Sequence, residues 1–141
     1  MKKSFSKLLA VTAMLLSMTV FAFTGCGSKA SSTTDWVNQD EMQQVVKTMS
    51  DSQSDMSIAL IAVDDKTVSF QFTFTEQLDI PDEATQDLLV DTFDQQMAAQ
   101  ESVFTEMRDQ LVKDTKIDDV VLRIEYLNAD GSVIYSKDYT K

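Results

Sequence analysis

One thiol and no imidazole bound the chemistry open to this chain. Cys26 is the single cysteine in 141 residues, and there is no histidine. Imidazole metal ligation, a Ser-His-Asp triad and a histidine general base are therefore closed to a single copy. Cys26 ends the run Phe23-Thr24-Gly25-Cys26, after an apolar stretch over 8–23 that follows Lys2, Lys3 and Lys7. That stretch is short of the roughly 20 residues needed to span a bilayer and suits the core of an export signal. The leading lysines orient it with its start in the cytoplasm. Small residues before the cysteine match a lipobox, with Phe23 standing where leucine is usual. The expected processing is cleavage between Gly25 and Cys26, with a diacylglycerol lipid on the Cys26 sulfur. A lone exported thiol has no disulfide to make within the chain, and lipidation gives it a use. Two acyl chains anchor stably where one would be marginal.

The remaining groups that do chemistry are carboxylates, hydroxyls, lysines and two arginines. Removal of Lys2, Lys3 and Lys7 from the 12 basic residues leaves 9 against 23 acids, a net charge of −14. Such a surface repels nucleic acid and anionic head groups, so no nucleic-acid partner is expected. Asp64-Asp65 and Asp118-Asp119 supply oxygens of the kind calcium takes, but neither lies in an EF-hand loop. Asn128-x-Asp130-Gly131 is only a fragment of such a loop, and turn chemistry accounts for it. No metal and no cofactor beyond the lipid are expected. Paired carboxylates suit glycosidase chemistry, but among 23 acids accidental pairs are unavoidable. The only tryptophan, Trp36, lies near the start of the domain, and no enzyme activity is expected.

The elements that position these groups read as follows. Residues 1–25 form the signal, and 26–34 the lipidated cysteine and a flexible tether. That tether, small and polar over 27–34, would reach roughly 30 Å when extended. A single domain fills 35–141. Asn38 and Glu41 suit a capping box for a first helix carrying Met42, Val45, Val46 and Met49 on one face. Residues 56–63 are apolar on both faces. After the turn 64–66, Val68, Phe70, Phe72 and Phe74 alternate with Ser69, Gln71, Thr73 and Thr75, giving one dry and one wet face. Pro81 opens a continuous helix over 82–114. Leu89, Phe93, Met97, Phe104, Met107 and Leu111 form its stripe, interrupted by Gln100, with Glu83, Asp87, Asp91 and Asp94 opposite. Runs 119–127 and 132–139 flank an Asp130-Gly131 turn, a strong hairpin signal.

The expected fold is α+β, in the order helix, hairpin, helix, hairpin. The strand runs apolar on both faces are expected at the centre and the alternating or charged runs at the edges. That gives a four-stranded antiparallel sheet of order 2-1-3-4, with two helices on the phenylalanine face. The long helix would span about 50 Å against strands of about 27 Å. Its far half is expected to pack on the first helix.

The run Tyr126-Leu-Asn-Ala-Asp-Gly-Ser-Val-Ile-Tyr-Ser-Lys-Asp-Tyr139 resembles the closing hairpin of a family of small Gram-positive surface lipoproteins. That family is grouped as domain of unknown function four-eight-five-four. The layout is similar too: signal, lipobox, short helix, an aromatic strand ending in Phe74-Thr75, and a long helix containing Phe104. The resemblance implies a surface lipoprotein with no established activity, and it carries no functional residues.

The reading is a lipid-anchored protein on the extracytoplasmic face of the cell membrane, monomeric, acting by binding an unknown ligand or envelope protein. The candidate recognition face is Ser69, Gln71, Thr73, Thr75, Arg123 and Glu125. The alternative is a cell-envelope structural or assembly protein that self-associates through the long helix.

Overall fold

A computed structural model describes residues 30–140. The expected signal peptide, the cleavage position Gly25 and the lipidation residue Cys26 lie outside the described residues. The order of elements is α1 (Thr33–Val37), α2 (Asp40–Ser52), β1 (Met56–Ala62), β2 (Thr67–Phe74), α3 (Glu83–Ala99), α4 (Glu101–Thr115), β3 (Val121–Leu127) and β4 (Val133–Tyr139). The class is α+β, as expected, with four helices among the described residues where two were expected.

Both hairpins form where the turn residues place them. Gly131 takes a positive φ of 87°, a conformation that glycine adopts without a Cβ penalty. The strand order is 1-2-3-4, not 2-1-3-4, and β2 pairs with β3 in parallel. In both orders β3 runs in the direction of β2; what differs is the strand it lies beside. A parallel pair needs a long crossover, and residues 75–120 supply it with two helices. Alternation in β2 predicts an edge, yet the strand is central. Alternation reports only that one face is wetter than the other, and a central strand of a sheet with one open face alternates equally well. The apolar β1 is an edge strand instead, with Ser57, Ala59 and Ile61 exposed. Both edges receive helix side chains: Ser50 Oγ reaches Ile58 O at 3.4 Å, and Gln86 Nε2 donates to Ile134 O at 2.9 Å. Such contacts blunt edges that would otherwise pair with another chain.

The expected continuous helix over 82–114 breaks at Gln100, whose φ of −109° and ψ of 8° leave the helical region. Length explains the break. A straight helix of about 50 Å would overhang the sheet, while two shorter ones keep the whole stripe on it. Leu89, Phe93 and Met97 of α3 and Phe104, Met107 and Leu111 of α4 are all buried. Asp82 caps α3, its carboxylate accepting from Thr85 N at 2.8 Å, and hydrogen bonds from the Thr85 hydroxyl and then its N–H hold it below the ordinary carboxylate range. At the other end, Lys116 in the left-handed region stops α4.

The first helix starts later than expected, at Asp40, and Asn38 is the C-cap of α1 rather than an N-cap. The helix packs on β1, not on the far half of the long helix; α4 contacts α1, β3 and β4. Residues 30–34, expected within the tether, belong to the fold. Ala30 is buried and its N–H donates to Asp114 O at 3.2 Å. Thr33 Oγ1 donates to Asp64 O at 2.7 Å, and Ser32 Oγ caps α1 by accepting from Asp35 N. Small polar residues read as linker because composition does not reveal which hydroxyls find carbonyls.

The helices cover the face of Phe70, Phe72 and Phe74. Phe72 has no exposed surface and stacks on Phe70 at 5.3 Å and on Tyr126 at 5.0 Å. Its neighbour Thr73 is half-buried on the opposite face. Phe72→Ala is expected to cost about 3–5 kcal/mol and Thr73→Ala less than about 1 kcal/mol. Denaturant midpoints of the two variants measure the difference, and equal losses would contradict this packing.

Candidate functional site

The open face of the sheet is built from cross-strand rows. Register places Ile61 beside Ser69, Ser69 beside Arg123, and Arg123 beside Asp138. The next row is Ala59, Gln71, Glu125 and Ser136; the third is Ser57, Thr73, Leu127 and Val133. Arg123 grips Asp138 with two hydrogen bonds, Nε at 2.7 Å and Nη2 at 3.1 Å. It also lies 3.9 Å from Glu125. Those carboxylates, the Asp138 hydrogen bond first, hold the guanidinium pKa above its ordinary value. Gln71 Nε2 donates to Glu125 Oε2 at 3.1 Å.

The structure thus brings Gln71, Thr73, Arg123 and Glu125 together on one half-exposed surface. Ser69 shares their face but is fully buried. Its short side chain lies between the larger Ile61 and Arg123, so it is not presented for contact. Thr75 falls past the end of β2, where its N–H and Oγ1 both donate to Asp55 O, at 3.0 and 3.1 Å. Exposed Ile61 and Val133 flank the polar centre. The surface is a polar ladder with apolar margins. Its groups offer hydrogen bonds and one paired cation, and they suit recognition of a polar strand or loop.

The helix side of the same strands holds a second polar arrangement that periodicity did not reveal. Phe93 of α3 stacks on Tyr126 at 4.4 Å and lies 5.3 Å from Tyr135. Tyr139 meets Phe104 at 5.5 Å, with Lys137 Nζ 5.4 Å above its ring. Tyr135 Oη donates to Asp94 at 2.5 Å. Asp94 stays exposed on the acidic side of α3 while accepting this bond from β4. Glu83, Asp87 and Asp91 are exposed as well, a solvated helix face. The only sequence signal for the tyrosine cluster was the alternation of Tyr135 and Tyr139 in β4.

The carboxylate pairs considered for calcium sit at one end of the domain, engaged in its turns. Asp64 Oδ1 accepts from Lys66 N at 2.8 Å, and Lys66 pairs with Asp119. Asn128 is buried and clamps the backbone of Leu78 in both directions, accepting from its N at 2.8 Å and donating to its O at 3.0 Å. Asp130 accepts from Ser132 N at 2.9 Å. These are turn and loop functions.

A family model described as "Domain of unknown function (DUF4854)" matches residues 34–139. The chain belongs to this family. The match covers the described fold from α1 to the end of β4, which includes both the open face and the tyrosine cluster of this DUF4854 domain. No curated protein and no solved structure matches the chain.

The tyrosines give the DUF4854 domain a measurable pH signature. Burial pushes the Tyr139 pKa up to about 12. Burial and the Asp94 carboxylate raise that of Tyr135, and burial raises that of Tyr126 well above its ordinary value. The unfolded chain ionises first, near pH 10. The stability these groups contribute is therefore intact below about pH 10 and lost as pH rises through the native values. These are the only 3 tyrosines in the chain, so the alkaline rise in near-ultraviolet absorbance from tyrosinate reads them alone. The expected titration has no step near pH 10 and rises only together with alkaline unfolding. A normal step from a still-folded chain would contradict the burial.

Proposed function

We propose that the protein is a lipid-anchored extracytoplasmic lipoprotein that acts by non-catalytic binding through the open face of its sheet. The observation that carries the anchor is the single cysteine, Cys26, placed directly after Phe23-Thr24-Gly25 at the end of a basic and then apolar start. The binding reading draws on the arrangement of the sheet. One face is filled by helices, and the other presents Gln71, Thr73, Arg123 and Glu125 to solvent between apolar margins. Ligand and partner belong to the chemistry that would meet this ladder: hydrogen-bonding groups at the centre and apolar contacts at Ile61 and Val133.

Self-association through the long helix is the weaker reading. Its stripe is consumed within one chain, where Phe104, Met107 and Leu111 are buried against the sheet and α1. Among the described residues that leaves Leu88 as the one exposed large apolar side chain of the helices, too little for a helix interface, and supports a monomer.

Two measurements test the proposal. Cys26→Ser is expected to abolish incorporation of a fatty-acid probe during growth, and undiminished label would end the lipoprotein reading. For the binding face, Thr73→Arg adds a long cation to the ladder without touching the core. The expected outcome is an unchanged denaturation midpoint with loss of the crosslinks that the wild-type face makes in intact cells. Crosslinks that survive the substitution would move recognition off the sheet.

A further inference from the structure

We propose that the anchored domain stands on the bilayer at a defined end: the 63–66 turn and the 116–120 loop face the lipid, and the 128–131 turn points away. The orientation rests on the lipid-anchor reading above. The first observation behind it is where the chain enters the fold. Ala30 is already buried and bonded to Asp114 O at the end of α4. Thr33 Oγ1 donates to Asp64 O in the 63–66 turn at 2.7 Å. Trp36, with no exposed surface, donates Nε1–H to Asp114 Oδ2 at 3.0 Å. Three attachments within seven residues fix the entry point to one end of the domain.

Only residues 27–29 separate Cys26 from that entry point. At about 3.6 Å per residue this connection reaches at most roughly 14 Å, whatever its conformation. The strands span about 25 Å at 3.3–3.4 Å per residue. The leash is shorter than the sheet, so the two ends of the domain cannot exchange places freely relative to the membrane.

The distribution of charge is an independent second observation. There is no Lys or Arg between Lys66 and Arg108, nor between Arg123 and Lys137. The stretches over 67–107 and 124–136, which meet at the end that carries the 128–131 turn, thus hold acids such as Asp79, Asp82 and Asp130 and no cation. Lys66, Lys113 and Lys116, all exposed, lie at the entry end among the exposed acids Asp35, Asp64, Asp65, Asp118 and Asp119, so that end is acidic too but is the one that carries cations. An anionic membrane surface attracts lysines and repels carboxylates over about a Debye length. The tether selects the entry end, and the lysines there make it the pole that an anionic surface repels less.

Nitroxide labels on the full-length lipidated chain in vesicles test the orientation. The vesicles contain phosphatidylcholine, phosphatidylglycerol and a nickel-chelating lipid. With Cys26 acylated, an introduced cysteine is the only free thiol. Asp65→Cys and Ala129→Cys report the two ends, and Asp118→Cys and Ser54→Cys repeat the comparison. Relaxation enhancement by the headgroup nickel is expected to be several-fold greater at 65 and 118 than at 129 and 54. Vesicle flotation separates the two ways to fail. Floating protein with equal or reversed enhancement overturns the orientation alone. Protein that does not float, with Cys26 reactive to maleimide, overturns the lipid-anchor reading and the orientation with it.

Discussion

The face-to-face contact of Phe72 and Tyr126, 5.0 Å apart across the one parallel strand pair, is the contact on which the architecture turns. It joins the two hairpins, which are otherwise separate local units. Aromatic stacking adds about 0.5–1.5 kcal/mol to the burial of each ring. Here the stack continues from Phe70 through Phe72 and Tyr126 to Phe93, so one row of rings ties β2, β3 and α3. With β2 and β3 parallel and adjacent, the connection between them must travel back along the sheet. Two helices make that journey on the aromatic face, and the opposite face stays open.

Polar side chains then close what the rings leave loose. Asn128 replaces a missing strand partner for Leu78 and fixes the loop that leads into α3. Trp36 and Ala30 fasten the start of the fold to the end of α4 through Asp114. Each of these bonds satisfies a buried polar group that would otherwise cost about 1–3 kcal/mol. They lie at opposite ends of the sheet and give the domain two distinct poles, one holding the chain entry and one holding the hairpin turn.

Function follows from what this packing leaves exposed. The stripe of the helices is spent inside the chain, so helix surface offers little to a partner. The open sheet face instead presents amide, hydroxyl, guanidinium and carboxylate groups whose partners are mainly one another. A partner would exchange such bonds for its own, which favours selective recognition over tight apolar association.

Local features were legible in the sequence because their causes are local. The alternation of Phe70, Phe72 and Phe74, the Asp130-Gly131 turn and the helix start after Pro81 each depend on a few neighbouring residues. The buried face of β2 and the positions of both hairpins follow from them, as does the membership of the helix stripe. The cysteine and its context in Phe23-Thr24-Gly25-Cys26 are likewise a property of the sequence, as is the lack of histidine. What only the tertiary structure decided depends on contacts between distant residues. Whether β3 lies beside β1 or β2 is chosen by Phe72 meeting Tyr126, a pairing that no pattern within either strand encodes. The break at Gln100 contains neither proline nor glycine; it exists because a straight helix is longer than the sheet it must cover. Ser69 is hidden by neighbours on two other strands, and the exposed Asp94 gains a bond from Tyr135. Residues 30–34 read as linker and became structure because Asp114 and the Asp64 carbonyl, both far away in sequence, wait for them.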